Sequence, residues 1–505
     1  MMQHAATMMG LGLALVTAAG ALAQVVGTPP ADAATGEIAR DFVGRNGVVR
    51  GCVITGEIPP AILPATPRMN VVQLDTNGLE IPMGVERVAG DRIDLVLVGD
   101  GYQANQLGTY ATHATNAMAS LFNTEPFKTY APFFRVYRVD VVSTDSGVDN
   151  DPTEGILRNT ALGMAFWCGG TERLLCVNTS LAASFANQAP NGRDQVLAIA
   201  NSTKYGGAGY TGAEMATTSG GNGSSAQIAI HEFGHSLGNL ADEYDYGGPV
   251  TYAGGEPGSY NSSIYPSATM LSQQRKWWRW LGVNNAAFDG VVSTYEGSSY
   301  SQLGVYRPTN NSMMRALGRP FNLPSAENLI IEFYKIVEPI TQVNPPTTQV
   351  LNGSEIAQVT PIGTVGNPLA IEWRVDGVVV PGATGTNLSL AGLNLAGGTH
   401  TLSVTVTDNT FMVRDPNARA TWMTQSKQWN LNVPLQCAAD LDNGSGTGTR
   451  DNAVDINDLL YFLGRFESGA SAADLDNDGL NPPQPDGGVD INDLLFFLMR
   501  FEGGC

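Results

Sequence analysis

The stretch His231-Glu232-Phe233-Gly234-His235, followed by Ser236-Leu237-Gly238-Asn239-Leu240-Ala241-Asp242-Glu243-Tyr244, decides how this chain reads. Two histidines four apart on a helix stack their imidazoles on one face, one turn apart, where a single tetrahedral zinc can take both. The glutamate between them then stands beside the metal as a base for a water whose pKa the zinc has lowered. That is the chemistry of peptide hydrolysis. The surroundings fit a helix: Ala226–Leu237 carries the motif, the Gly/Ser run 219–225 leads into it, and Gly238-Asn239 is a stop signal. A catalytic zinc needs a third protein ligand and one open position. Only His4 and His113 lie before the motif and His400 after it, so a carboxylate is the expected partner. Along a straight helix Asp242 would lie about 16 Å from His231, too far to share a metal. The chain must therefore turn at Gly238-Asn239 to bring back Asp242, or its neighbour Glu243.

The run HEFGHSLGNLADEY resembles the signature of the bacterial zinc metallopeptidase family typified by the immunoglobulin A peptidase, a branch allied to the metzincins. Further pieces match in order: Asp94 to Tyr102 (DLVLVGDGY), Asn123 to Phe127 (NTEPF), Ser143 to Asp149 (STDSGVD) and Tyr205-Gly206-Gly207. The similarity spans roughly residues 90 to 340. It implies His231, His235 and Asp242 as zinc ligands and Glu232 as catalytic base. The usual metzincin spacing would put the third ligand at Ala241, so Asp242 departs from that pattern by one residue and Glu243 is the alternative. Ser312-Met313-Met314-Arg315 resembles the methionine turn that lies beneath the metal in metzincins. Within this region Ile93–Val98 and Val196–Ala200 read as buried strands, with helices around 110–122 and 181–186. Tyr244 and Tyr246 are candidate donors to a tetrahedral oxyanion.

At 505 residues, 43% hydrophobic and 8% aromatic, the chain is expected to be multidomain and folded. Residues 1–23 read as a signal peptide, with an apolar run at Met8–Val16 and a small-residue cleavage pattern, Ala21-Leu22-Ala23. An exported, extracellular or surface-attached bacterial protein follows. Residues 24–90 read as an N-terminal β-rich domain or pro-segment, and 91–338 as the α/β peptidase domain. In 339–434, Leu369, Ile371, Trp373 and Val375 alternate with polar residues up to Asp376-Gly377, a hairpin signal. Leu402, Val404 and Val406 repeat the alternation, which suits an immunoglobulin-like β-sandwich. Cys168 and Cys176 can close a local disulfide loop, Cys437 and Cys505 bracket the last module, and Cys52 is left over.

The tail, 435–505, repeats itself. Asp440-Leu441-Asp442 with Val454 to Leu460 recurs as Asp474-Leu475-Asp476 with Val489 to Leu495. Alternating carboxylates, a glycine and a later acid form the oxygen-rich pattern of calcium loops, here lengthened by inserts. Asp440, Asp442, Asp458, Asp474, Asp476, Asp478 and Asp493 are the candidate calcium ligands. Ile456, Leu459, Leu460 and Leu463, and again Ile491, Leu494, Leu495 and Leu498, fall at helical spacing and are expected to form the core. The module resembles dockerin, a small α-helical calcium-loop domain, which implies a cohesin-like or cell-surface partner. Of the net charge of −20, the tail holds −10, from thirteen acidic residues against Arg450, Arg465 and Arg500. Acidity of this kind argues against nucleic acid, and no stretch is long and apolar enough to span a membrane. Two functional readings follow. One is a secreted zinc endopeptidase acting on proteins and docked by its tail; the other is a surface-displayed binding scaffold with an inactive peptidase fold.

Overall fold

A computed structural model describes residues 68–83, 91–434, 437–451, 453–476 and 484–503, and the backbone of three short strands, Gln24–Val25, Phe42–Val43 and Val49–Arg50, which pair antiparallel. The expected signal peptide, Cys52, Asp478 and Cys505 lie outside the described residues. The chain divides into two compact units. One comprises the residues up to 339 with 362–369 and 407–425; the other comprises 340–361, 370–406 and 426–505.

A seven-stranded mixed sheet organises the first unit. Its strands are β1 (Asn70–Leu74), β2 (Glu80–Ile81), β3 (Ile93–Asp100), β4 (Phe134–Asp140), β5 (Gln195–Ala200), β6 (Gly207–Tyr210) and β7 (Met215–Ser219), in the spatial order β2-β1-β4-β3-β5-β7-β6. β4, β3, β5 and β7 run parallel, and both edges are antiparallel. Every residue of β3, β4 and β5 is buried, as expected of strands covered on both faces. The sheet begins before residue 91, because Val71 and Val72 lie in β1 and pair with Val139 and Arg138. Helices occupy Leu107–Leu121 and Thr179–Ala186, close to the spans that the apolar spacing predicts.

The 94–102 and 143–149 motifs are held around one buried carboxylate. Asp100, at the end of β3, accepts from the amides of Leu162 (2.8 Å) and Met164 (2.8 Å) and from the hydroxyls of Thr160 (2.9 Å) and Ser143 (3.2 Å). Burial pushes its carboxyl up, against these donors. Gly101 is left-handed (φ +72°) and a Cβ there would stand 2.2 Å from Gly147 O, so the 99–102 and 143–149 segments close on each other only with glycine.

Two more buried acids tie later sequence into this unit. Asp408 accepts from Tyr130 Oη (2.5 Å), Tyr334 Oη (2.9 Å), Asn367 Nδ2 (3.0 Å) and the Thr410 amide (2.8 Å). Glu327 accepts from Trp280 Nε1 (2.5 Å), Tyr260 Oη (3.0 Å) and the amides of Arg414 (2.6 Å) and Asp415 (2.9 Å). Removing such an acid strands several buried donors, at about 1–3 kcal/mol for each group left unsatisfied. Trp277 and Trp280 are buried, as a core role requires.

In the second unit, strands Ile340–Asn344, Ile356–Pro361 and Asn387–Ser389 form one sheet. Val378–Val379, Ala370–Val375, Gly398–Thr407 and Thr424–Val433 form another. The hairpin expected at Asp376-Gly377 is present, with both residues at positive φ. Trp373 is buried and stacks on Trp429 at 5.9 Å.

The tail corrects one expectation. Its helices, Ile456–Glu467 and Ile491–Gly503, pack through Phe462 and Phe497, stacked at 4.1 Å, with Leu459, Phe466, Leu494, Leu498 and Phe501 around them. Ile456 (58% exposed), Leu460 (63%), Leu463 (36%), Ile491 (58%) and Leu495 (58%) face outward instead. The large rings of the stacked phenylalanines take the centre of the interface, so only Leu459, Leu494 and Leu498 of the aliphatic stripe remain against the core.

Candidate metal centre

The motif lies on the helix Ser225–Ser236, one residue earlier than the spacing predicts. Its back is anchored by Phe233, which meets Phe127 at 6.4 Å within a cluster that includes Phe134, Phe321 and Phe333. Phe127 belongs to the NTEPF motif, whose role is therefore support. Its front lies against β6. A Cβ at Gly207 would stand 2.4 Å from Ile228 Cγ2, and one at Gly209 would stand 2.7 Å from His235 Cβ, so glycine permits this approach.

The helix ends as the sequence requires. Asn239 is left-handed (φ +47°), and the Leu240 amide donates back to Gly234 O at 2.9 Å. A Cβ on Gly238 would meet Gly234 O at 2.8 Å. The reversal delivers Asp242, whose Oδ1 lies 3.0 Å from His231 Nε2 and 3.3 Å from His235 Nε2; the two Nε2 atoms are 3.2 Å apart. Bonds of about 2.0–2.1 Å at tetrahedral angles set donor atoms roughly 3.3 Å apart, so the three atoms have the edges of one face of a zinc tetrahedron.

The protonation pattern points the same way. His231 Nδ1 faces Met313 O at 3.0 Å and His235 Nδ1 faces Leu240 O at 2.7 Å; carbonyls only accept, so each Nδ1 carries the proton. In the neutral tautomers both Nε2 lone pairs then converge with a carboxylate oxygen, an arrangement that a cation relieves. Burial alone would depress His235, but Asp242 outweighs it and raises the imidazole to about 9. Burial would likewise raise Asp242, and the two imidazoles overcome it, holding the carboxyl well below its usual range. A cation bound at these atoms would displace the proton that the raised imidazole carries.

Glu232 offers a ligand-type oxygen within 4.8 Å of both imidazoles. Its Oε2 is buried and has no hydrogen-bond partner among the described residues. Burial raises its carboxyl, against the charges of His231, His235 and Arg173. Asp242 Oδ1 stands closer to both nitrogens, at 3.0 and 3.3 Å. Glu243 is otherwise engaged: its carboxylate accepts from Ser312 Oγ (2.7 Å), Asn261 Nδ2 (2.9 Å) and Asn322 Nδ2 (2.9 Å), and burial raises it to about 7. Its amide donates to Met314 O at 2.8 Å, fixing the turn at Met313-Met314. Met314 lies against the site helix, since a Cβ on Gly234 would stand 2.4 Å from its Sδ.

A cavity of about 290 Å³ opens on His231 and Glu232, walled by Tyr205, Tyr244, Tyr246, Ile228, Arg173, Arg315, Ala316 and Leu317. Tyr300, which donates to Asp242 Oδ2, stacks on Tyr246 at 5.8 Å. Sequence reasoning missed Arg173, Arg315 and Tyr300. For Arg173 a signal existed, because it lies between Cys168 and Cys176, which form a disulfide. Cys437 is disulfide-bonded as well. His113 is half-buried and pairs with Tyr102 Oη through Nδ1 at 2.8 Å, a packing role.

In the tail, Asp440, Asp442, Asp458, Asp474, Asp476 and Asp493 are all buried. The last residue of each loop does the same job. Asp458 accepts from the amides of Leu441 (2.5 Å), Asp442 (2.8 Å) and Asp455 (2.8 Å), and Asp493 from those of Leu475 (2.6 Å), Asp476 (2.9 Å) and Asp490 (2.9 Å). Asp442 takes the amides of Gly446 and Gly448, Asp474 those of Asp486 and Gly487, and Asp440 that of Asp451.

Two imidazoles, a carboxylate oxygen and a buried glutamate thus converge at one helix as a group that could hold a metal ion. Residues 83–287 match the family model of the IgA Peptidase M64, a span that holds His231, Glu232, His235 and Asp242. The match supports a metallopeptidase of that family over this part of the chain, and no curated protein matches the chain.

Proposed function

We propose that this chain is an exported zinc endopeptidase that cleaves protein substrates. In this reading His231, His235 and Asp242 hold the zinc and Glu232 is the catalytic base. The observation that carries it is the convergence of His231 Nε2, His235 Nε2 and Asp242 Oδ1 at 3.0–3.3 Å, each imidazole turned into place by a carbonyl on its other nitrogen. A zinc ion in that position would lower the pKa of water and polarise a carbonyl. Glu232 takes the proton of the attacking water on a carboxylate oxygen and passes it to the departing amine nitrogen. Tyr244 and Tyr246 stand on the cavity wall where a hydroxyl can donate to the oxyanion. Tyr300 holds Asp242 from the side away from the imidazoles.

The remaining parts serve delivery. Residues 1–23 are the export signal, 24–90 an N-terminal domain or pro-segment whose strands β1 and β2 join the peptidase sheet, and 339–434 an immunoglobulin-like spacer. Residues 435–505 are a calcium-binding, dockerin-like tail that docks on a cohesin-like or cell-surface partner. Buried aspartates at 440, 442, 474 and 476, and the exposed aliphatic residues of both helices, favour that role for the tail. Among the described residues no helix is long and apolar enough to cross a membrane.

The test is metal content with cleavage of a denatured mixed-protein substrate, comparing wild type and Glu232→Gln. One zinc per chain in both, with cleavage only in wild type, is the expected result. Zinc in both with cleavage in neither favours the binding-scaffold reading.

A further inference from the structure

The cleft wall carries two guanidiniums in a chain whose net charge is −20. Outside His231 and Glu232, its charged lining residues are Arg173 and Arg315. Each is built into place. Arg173 sits inside the loop closed by Cys168–Cys176; its carbonyl accepts from the Gly207 amide at 3.3 Å, and its Nη2 donates to Tyr246 Oη at 2.5 Å. A Cβ at Gly206 would stand 2.6 Å from the Arg173 carbonyl oxygen, so the loop is pressed onto the strand beside the site helix. Arg315 ends the Ser312–Arg315 run, donating to Glu243 O at 3.2 Å with Asp245 at 3.8 Å.

We propose that Arg173, assisted by Arg315, is a specificity-determining residue that selects peptides carrying an Asp or Glu side chain within a residue or two of the scissile bond. The proposal rests on the peptidase reading and names its substrate class. A guanidinium on a partly enclosed wall takes a carboxylate in a charge-assisted, often bidentate pair, which a neutral amide of the same shape cannot replace. The wall also explains how an acidic protein avoids repelling the substrates it prefers, since the attraction is local and falls off within about a Debye length.

Binding separates this inference from the chemistry. The full-length Glu232→Gln protein, loaded with zinc, is titrated by fluorescence anisotropy with octapeptides that carry a single Glu at successive positions, each matched by its Gln counterpart. At one or two positions the Glu peptide should bind about five- to tenfold more tightly, with the gap narrowing as salt rises. Arg173→Gln should erase most of the gap, Arg173→Lys should retain part of it, and Arg173→Glu should turn the preference towards Lys peptides. Equal binding of Glu and Gln peptides at every position, no measurable binding of any of them, or a gap that survives Arg173→Gln combined with Arg315→Gln, overturns the proposal. A wild-type protein that shows the preference and cleaves no peptide would sink the peptidase reading and leave the selectivity standing.

Discussion

Around the site helix, Asp242 is delivered to two imidazole nitrogens; in the tail, Asp458 and Asp493 are delivered to backbone amides. Both regions bury acids, yet they differ in what the acids do before any cation arrives. Three lone-pair donors at 3.0–3.3 Å leave the helix site demanding a positive charge, whereas amide donors already satisfy much of the tail's carboxylate surface. The first arrangement is organised for a metal. The second is organised as loop structure that a cation can reinforce. Neighbouring Asp242 and Glu243 repeat the contrast within two residues, one facing the imidazoles and the other facing Ser312, Asn261 and Asn322.

The largest effect should come from Glu232→Gln. Loss of a positioned base lowers turnover by about 10²- to 10⁴-fold, while zinc content stays at one per chain. Asp242→Ala should lower zinc occupancy, and Glu243→Ala should instead lower the melting temperature of the protein. Zinc loss in Glu243→Ala with full zinc in Asp242→Ala would reverse the contrast between these two acids. Measured zinc stoichiometry and thermal unfolding decide it.

Next in size is the tail core. Phe462→Ala opens a cavity beside Phe497 and should cost about 3–5 kcal/mol, exposing residues 437–503 to protease. Leu460→Ala, on the outward face, should stay within about 0.5 kcal/mol. Calcium should protect the same segment, by about 2.7 kcal/mol when present at roughly a hundred times its dissociation constant. An unchanged digestion pattern with calcium or chelator would mean that the amides alone organise the loops.

Gly234→Ala probes how tightly the methionine turn supports the site. The added Cβ must displace Met314, an overpacking worth about 1–3 kcal/mol. Because Met313 O orients His231, zinc affinity should fall along with stability. A variant with wild-type zinc affinity would show that the turn supports the fold and leaves the imidazoles alone.

What could be read in advance follows from the rigidity of each element. On a helix, the spacing of His231 and His235 places both rings, so the sequence sufficed for them. The reversal at Gly238-Asn239 was also legible, since glycine and a left-handed asparagine end helices, and it was enough to bring Asp242 within reach. Arg315 and Tyr300 were not legible, because they reach the site through tertiary packing that no local spacing encodes, whereas Arg173 was marked only by its place between Cys168 and Cys176. Near-continuous apolar runs marked β3 and β5, yet they could not show that Val71 and Val72 extend the same sheet across a pairing with β4. In the tail, the helical period was right and the buried face was right only for Leu459, Leu494 and Leu498: counting Ile and Leu overlooked the greater area of Phe462 and Phe497.

The smallest effect lies at an exposed pair in the second unit and is a matter of pH. His400 Nδ1 lies 2.7 Å from Asp376 Oδ2 and its Nε2 lies 2.8 Å from Ala396 O, two acceptors that only the imidazolium can satisfy together. The Asp376 bond raises the His400 pKa, and the reciprocal bond lowers that of Asp376. For a raised histidine, the contribution to stability is complete below its unfolded value of about 6.5 and disappears as pH climbs through the folded value. For the depressed aspartate, it is complete above about 3.9 and is lost as pH falls through the folded value. The pair should therefore hold the hairpin best between those limits. Titration of the His400 ring by NMR should show its midpoint falling in Asp376→Asn, with slightly faster amide exchange at Thr401, whose amide donates to Asp376. An unmoved midpoint would mean that solvent screens the pair completely. The charges of this unit would then differ from those of the buried site helix in consequence as well as in exposure.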